Sequence, residues 1–501
     1  MYNYFMSKKE LIKVNLFKYI LLTNSEISIQ TIMKRINLSK STSLRYVSEL
    51  GEDLLKSFNS VQLLIDEQGN YFIQKDKGYS NSLIIETLKE FYVRKSTLFQ
   101  VFSAVMQKEN LSIKDLEISL ELAPSTVYNK LAILNDIAKT FKGKISFTQS
   151  GNIEGDEIGI RFFSYYLIWM LNKTNKDSTF SKKMPMEFLN LDNLKRNLIT
   201  VKNLSASQEK KLKIAQGLAL YRLLYRKQFI HLNKEFLDDI QFFKEDHFSI
   251  TKTNKLLTSD VIETETLFFC YSIRGIVYDL DSFEKKVELV TRYKQSNLKI
   301  ADDISRLLTS FSDYASFSYT EEGYIESYYL LLIVLIYIRH INIGYVDFYE
   351  NTFTLKNYHH SIDTDFSHNE ELISKFLNDP IFKDCLGEVS PSLIKEFNYL
   401  LYFILDINSL PKQLKIYVQF SKNIYDGTLI ANSLKATFNE STILITKNPN
   451  EADFIISDTY EGEKFKAERF YFEDIRDYEN WQSLLQHITN LIYRKSFFKN
   501  I

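Results

Sequence analysis

Two groups of side chains in this sequence have the chemistry to hold and read duplex DNA. Lys40, Ser41, Thr42, Arg45 and Tyr46 form the first, and Ser125, Thr126, Tyr128, Asn129 and Lys130 the second. A guanidinium such as Arg45 can bond bidentately to guanine, and an amide such as Asn129 to adenine. Those bases present the matching donors and acceptors in the major groove. Ser and Thr hydroxyls, with the amides at a helix N-terminus, suit phosphate oxygens. Lys142 and Lys144 flank a nearby turn, where they either reach backbone phosphates or stand as solvated loop residues. The same residue types also sit on ordinary solvated helices, so what positions them decides the matter.

Residues 28–50 and 112–134 can be laid over each other at a fixed offset of 84. The offset pairs Ile29 with Ile113, Leu38 with Leu122, Ser41-Thr42 with Ser125-Thr126, and Leu50 with Leu134. Each stretch reads as a short amphipathic helix, a tight turn with an inward Leu, a Ser-Thr helix start and a second helix. That is a helix-turn-helix, which places its second helix in the major groove. In the first copy the pattern predicts a supporting helix over 9–23, a motif helix capped by Ser28 and a recognition helix from about Lys40 to Lys56. A hairpin follows over 61–73, turning at Gln68-Gly69-Asn70. The second copy has a supporting helix over 97–108, motif helices over 112–120 and 124–141 with Pro124 at a first helical position, and a hairpin over 144–154 turning at Ser150-Gly151-Asn152. Gly-Asn at both hairpin tips extends the repeat into a wing. The acidic pair Asp66-Glu67 argues against deep insertion of the first wing into a groove.

The fold class is mainly α and multidomain. A chain of 501 residues exceeds a single core. Its 38 Phe and 32 Tyr against 14 Gly and 6 Pro favour long packed helices. From about 160 to 403 the pattern is nearly all helical. A similarity between Leu220-Tyr221-Arg222 and Tyr337-Ile338-Arg339, offset by 117, points to two related bundles or to coincidence. After Pro411, strand patterns at 414–420, 441–446, 453–457 and 469–473 alternate with helices, which argues a small α/β domain with a mostly parallel sheet. The domains read as 1–80 and 81–158 for the winged units, 159–285 and 286–408 for the helical modules, and 411–501 for the α/β domain.

Net charge is −1, yet residues 1–150 carry +5 and the remainder −6, a polarity that suits presenting one end to a polyanion. No h-region follows the first residues, and the longest apolar run, Tyr328 to Ile338, is too short to span a bilayer; the expectation is a cytoplasmic protein with no membrane partner. Cys270 and Cys385 read as buried small hydrophobes. The seven histidines, His231, His247, His340, His359, His360, His368 and His487, show no metal-ligand spacing, and no phosphate loop or nucleophile elbow is present. The reading is therefore no enzyme, no cofactor and no metal.

The arrangement resembles the Mga/AtxA family of transcription regulators, among them global virulence regulators of Gram-positive bacteria. Residues 28–50, 112–134 and 414–446 carry the likeness, which extends over nearly the full length. The resemblance implies helical modules similar to phosphotransferase regulation domains (PRDs) and a C-terminal domain similar to phosphotransferase enzyme IIB. It implies a DNA-binding regulator, an activator, linking sugar-phosphotransferase status to gene expression. Its partners would be double-stranded DNA, a second copy of itself as homodimer or higher, and the phosphotransferase phosphocarrier protein. Two departures matter. The loop after the first strand, 421–427, lacks the cysteine that carries the phosphoryl group in IIB domains, so that domain would serve dimerisation or sensing, with strand edges and the helix around Trp481 as its surface. Family members are phosphorylated on histidines of the helical modules; His231, His340, His359 and His360 are the candidates here, each alternatively a structural histidine. The rival reading is a phosphotransferase component that itself transfers phosphoryl groups.

Overall fold

The computed structural model describes residues 2–23, 26–107, 111–148, 151–171, 204–244, 257–277, 280–344, 373–387, 389–408, 413–420, 425–459, 467–472 and 475–497. They fall into two compact units, one of residues 1–310, 324–355 and 380–400, the other of 311–323, 356–379 and 401–501.

The first unit begins with α1 (Lys8–Thr23), α2 (Ile29–Ile36), α3 (Lys40–Ser57) and the antiparallel pair β1 (Val61–Ile65) and β2 (Tyr71–Lys75). α4 (Asn81–Lys95) and α5 (Thr97–Gln107) lead to α6 (Ile113–Leu120), α7 (Pro124–Thr140), β3 (Gly143–Thr148) and β4 (Gly151–Gly155). Both motif helix pairs start 84 residues apart, and local chemistry explains why. Ser28 and Ser112 sit in extended backbone and accept from the amides of Thr31 and Asp115; the Ser112 amide in turn donates to the Asp115 carboxylate at 2.9 Å, completing a capping box. At the turn, Asn37 and Glu121 take the left-handed conformation at φ 51° and 53°, so each helix ends at the same point of the repeat. The turn leucines, Leu38 and Leu122, are half-buried.

Left-handed backbone costs an L-residue roughly 1–2 kcal/mol, less for Asn, whose short side chain tolerates it. Replacing Glu121 by Gly should therefore stabilise the second motif by about 0.5–1 kcal/mol, after the extra freedom glycine gives the unfolded chain. A rise in the thermal midpoint of Glu121→Gly is the expected reading; a fall would show that the Glu121 side chain contributes more than its backbone strain costs.

One close approach fuses the second winged unit to the next helix, α8 (Glu157–Leu171), and another closes the wing root. A Cβ on Gly159 would lie 1.8 Å from the carbonyl oxygen of Phe141, and one on Gly155, at φ 130°, would lie 2.4 Å from that of Lys142. Behind them Phe163 packs against Phe102 and Phe141, ring centroids 5.5 Å apart in both cases. The winged core thus continues past residue 158 into α8. α4 likewise serves the first winged unit: Tyr92, on α4, donates to Asp53 on α3 at 2.7 Å, and buried Lys13 of α1 donates to the same carboxylate. Burial opposes that charge, but the Lys13 and Tyr92 bonds outweigh it and hold the Asp53 pKa below the ordinary carboxylate range.

The helical body of this unit includes α9 (Ala206–Leu220), α10 (Lys234–Ile240), α11 (Ser259–Ile276), α12 (Phe283–Lys294), α13 (Lys299–Ala315), α14 (Glu321–Ile336) and α15 (Pro380–Leu386). The last residues of α13 and the first of α14 belong to the other unit. α9 and α14 both close in a π-helical turn, Tyr221–Tyr225 and Tyr337–Ile341. Each turn carries an arginine of the 117-residue similarity: Arg222 bonds Glu157, and Arg339 bonds Asp303. The stretch Glu321–Ile341 is long and apolar enough to cross a membrane by length and composition, but 56% of its window is buried within the protein, with Leu332, Leu335 and Ile336 fully enclosed.

In the second unit α16 (Pro391–Asn408), whose first residues count with the other unit, leads to β5 (Leu414–Gln419), α17 (Asp426–Thr437), β6 (Ile443–Thr446), β7 (Phe454–Ser457), β8 (Glu468–Tyr471) and α18 (Tyr478–Phe497). All strand pairings are parallel, in the order β6-β5-β7-β8. Every residue of β7 is buried, as a central strand covered on both faces requires. Leu414, Ile416, Ile430, Leu434, Leu484 and Ile488 share its core. Trp481 turns inward, donating its indole N–H to the Ile475 carbonyl at 2.7 Å and standing edge-on to Phe472. Around it Tyr478, Gln482 and Ser483 stay exposed. The expected IIB-type loop lies largely outside the described residues.

Candidate nucleic-acid interface

The reading face is built by what the recognition helices bury. α3 turns Ser43, Val47, Leu50 and Leu54 inward, and α7 turns Val127, Leu131, Leu134 and Ala138 inward, the same four positions at the 84-residue offset. What remains outward is therefore matched as well. Lys40, Ser41 and Arg45 are exposed on α3; Ser125, Tyr128 and Asn129 are exposed on α7. Thr42, Tyr46, Thr126 and Lys130 are half-buried at the flanks of these faces.

Several of these side chains already have work within the fold. The Thr42 hydroxyl accepts from Ser39 at 3.0 Å, inside the cap that starts α3. Tyr46 lies between two cations, Lys9 and Arg45, each 5.7 Å from its ring centre, which steadies Arg45 at the helix surface. Lys144 is exposed at the root of the second wing, opposite Glu154 in the strand register. Lys142 goes elsewhere. Its ammonium donates to the Ile341 carbonyl at 2.6 Å, tying the wing root to the second π turn.

The first wing keeps the acidic character its sequence suggests. Asp66 accepts from the amides of Gln68 and Asn70 at 2.9 and 2.7 Å and from the Asn70 side chain at 3.0 Å. Those bonds hold its pKa below the ordinary range and close the turn. Glu26, hydrogen-bonded to Asp66, is pushed upward by that neighbour. Of the expected second tip, Ser150 lies outside the described residues, whereas Asn152 is buried in β4, accepting from the Leu111 amide at 3.2 Å and donating to the Val105 carbonyl at 3.0 Å.

Residues 81–168 match the family model of the Mga helix-turn-helix domain. The second winged unit is similar to that domain. The match supports a regulator of the Mga family that binds DNA. No curated protein matches the chain. The Mga segment starts at the first residue of α4 and ends inside α8, so it includes the helix whose Phe163 completes the winged core. Residues 28–75 repeat its layout of two motif helices and a hairpin, although the Mga match does not extend to them.

The candidate histidines separate. His231 is exposed, in the coil before α10. His340, on the second π turn, bonds Asp239 through Nε2 at 2.8 Å and stacks on Phe236 at 4.4 Å, its side chain 5% exposed. Its ring nitrogen is thus engaged and enclosed. His359 and His360 lie outside the described residues. Cys385 is buried beside Asp303, and burial followed by that carboxylate pushes its thiol up to about 11, which keeps it from acting as a nucleophile at neutral pH.

Leu44 escaped the sequence reading. It is 39% exposed in the middle of the polar face of α3. The signal was available: the offset of 84 places it opposite Tyr128.

Proposed function

We propose that this chain is a cytoplasmic transcription activator that binds DNA as a dimer through four recognition helices. Its helical body would act as PRD-like modules reporting sugar-phosphotransferase status, and its C-terminal domain would be an IIB-like fold retained for assembly. The matched outward faces of α3 and α7 carry the DNA-binding part of this reading. The parallel β6-β5-β7-β8 sheet and the two arginine-bearing π turns support the rest. The decisive experiment is mapping of DNA bound by the full chain in cells, alongside transcript levels with and without it.

Phosphoryl transfer is the second reading, and the absence of cysteine between β5 and α17 speaks against it. Phosphoryl acceptance from the phosphocarrier protein on a residue beyond 411 would revive it. Assembly is testable by sedimentation. Leu444 and Tyr471 are exposed on the two edge strands, 41% and 59%, where a second sheet edge can add. Truncation after Ser409 should shift the chain toward monomer; a truncated chain as dimeric as the parent would place the interface elsewhere.

A further inference from the structure

The two recognition helices share more than their polar groups. Each has Ser at its second position, a large apolar side chain at its fifth and a base-capable polar group at its sixth: Ser41, Leu44 and Arg45 on α3, Ser125, Tyr128 and Asn129 on α7. Leu44 and Tyr128 are 39% and 57% exposed. We infer that these two side chains read thymine by covering its 5-methyl group, so that each unit recognises a thymine beside the base taken by Arg45 or Asn129. The inference rests on the DNA-binding reading above.

Three observations carry it. The fifth position lies one turn into the helix, on the stripe formed with the second and sixth, which is the part of a recognition helix that meets base edges. Leu44 is ringed by exposed Ser41, Arg45 and Ser48, so its apolar surface is a single side chain wide. A protein interface needs a patch of hundreds of Å², whereas a thymine methyl is a target of this size. The nearest core positions, Ser43 and Val47, already fill the inward face, leaving Leu44 no place in the fold's interior. Tyr128 adds a hydroxyl, but its ring, flanked by Ser125 and Asn129, presents the same apolar surface at the same place.

The test removes the methyl and nothing else. From a randomised duplex pool, the sequence bound most tightly by the full chain is selected, and each thymine in turn is replaced by deoxyuridine. Loss of one buried methyl should weaken binding about four-fold at a thymine read by Leu44, and similarly at one read by Tyr128. Leu44→Ala should bind more weakly and become indifferent to uracil at its thymine alone, while Leu44→Met keeps the sensitivity. Tyr128→Phe should behave as the parent and Tyr128→Ala should lose its thymine. Parent protein insensitive to every replacement, or alanine variants still sensing the same thymines, would overturn the inference while DNA binding stands. Failure to select any duplex would overturn both readings together.

Discussion

Replacing Asn129 and Lys130 together by Ala should weaken DNA binding by an order of magnitude or more, and Arg45→Ala should cost less. A well-formed bidentate base contact is worth about 1–3 kcal/mol, a factor of roughly 5 to 150 in affinity. Asn129 is exposed on α7 and free to meet adenine, and half-buried Lys130 stands beside it at the helix flank. The second unit also places Lys144 at its wing root, whereas the first wing carries exposed Glu67 and an Asp66 whose hydrogen bonds hold it ionised. Lys142 is left unchanged in this variant, since its ammonium also donates to the Ile341 carbonyl. Fluorescence anisotropy at physiological salt measures the effect on a labelled duplex selected with the parent. Equal affinity of the double variant and the parent would remove the second unit from its leading role. The salt dependence separates two contributions: loss of a phosphate contact lowers the slope of log K on log salt by about 0.9, whereas loss of a base contact leaves it unchanged.

What made the N-terminal interface legible was local chemistry repeated at a fixed spacing. Ser28 and Ser112 cap, Asn37 and Glu121 turn, and the inward positions of α3 and α7 coincide, all from interactions within a few residues. The C-terminal sheet was legible for a related reason: buried parallel strands read as short apolar runs between helical patterns. The limits were set by contacts distant in sequence. Nothing near Lys142 predicts a carbonyl 199 residues away, and nothing near Trp481 tells whether a half-apolar helix face turns its indole out or in. The packing between the second winged unit and α8 is distant in the same way. Gly159 and Phe163 look like ordinary helix residues until Phe141 is set against them. Leu44 shows through the repeat, whose offset of 84 sets it opposite Tyr128, and through its 39% exposure.

The largest loss of stability should come from breaking the buried charge cluster behind the second winged unit. Arg161 donates to Glu265 at 2.6 and 2.9 Å and to Glu157 at 2.8 Å; Arg222 donates to the two oxygens of Glu157 at 3.0 and 2.5 Å; and the Ile230 amide donates to Glu265 at 2.9 Å. Two carboxylates and two guanidiniums balance, with no side chain more than 10% exposed. Removing one member of such a cluster leaves an opposite charge buried without its partner, at about 3–5 kcal/mol. Glu265→Ala should therefore lower the thermal midpoint of the first unit by roughly 4–7 °C, since an unfolding entropy of about 2.1 cal/mol/K per residue gives little more than 1 °C per kcal/mol for a unit this large. The pH dependence gives an independent check. Burial raises the pKa of Glu157, but the bonds and charges of Arg222 and Arg161 prevail and hold it below the ordinary 4.5. An acid depressed in the folded state stabilises fully above its unfolded pKa and loses that contribution as pH falls through the folded value. The midpoint should accordingly be insensitive to Glu157 between pH 5 and 8 and decline below about 4.5. In Glu157→Gln the midpoint should start lower and the acid decline should be shallower, since one titrating group is gone. An acid decline as steep in Glu157→Gln as in the parent would assign it to other carboxylates, Asp53 first among them, and would show that the cluster does not set the acid limit of this fold.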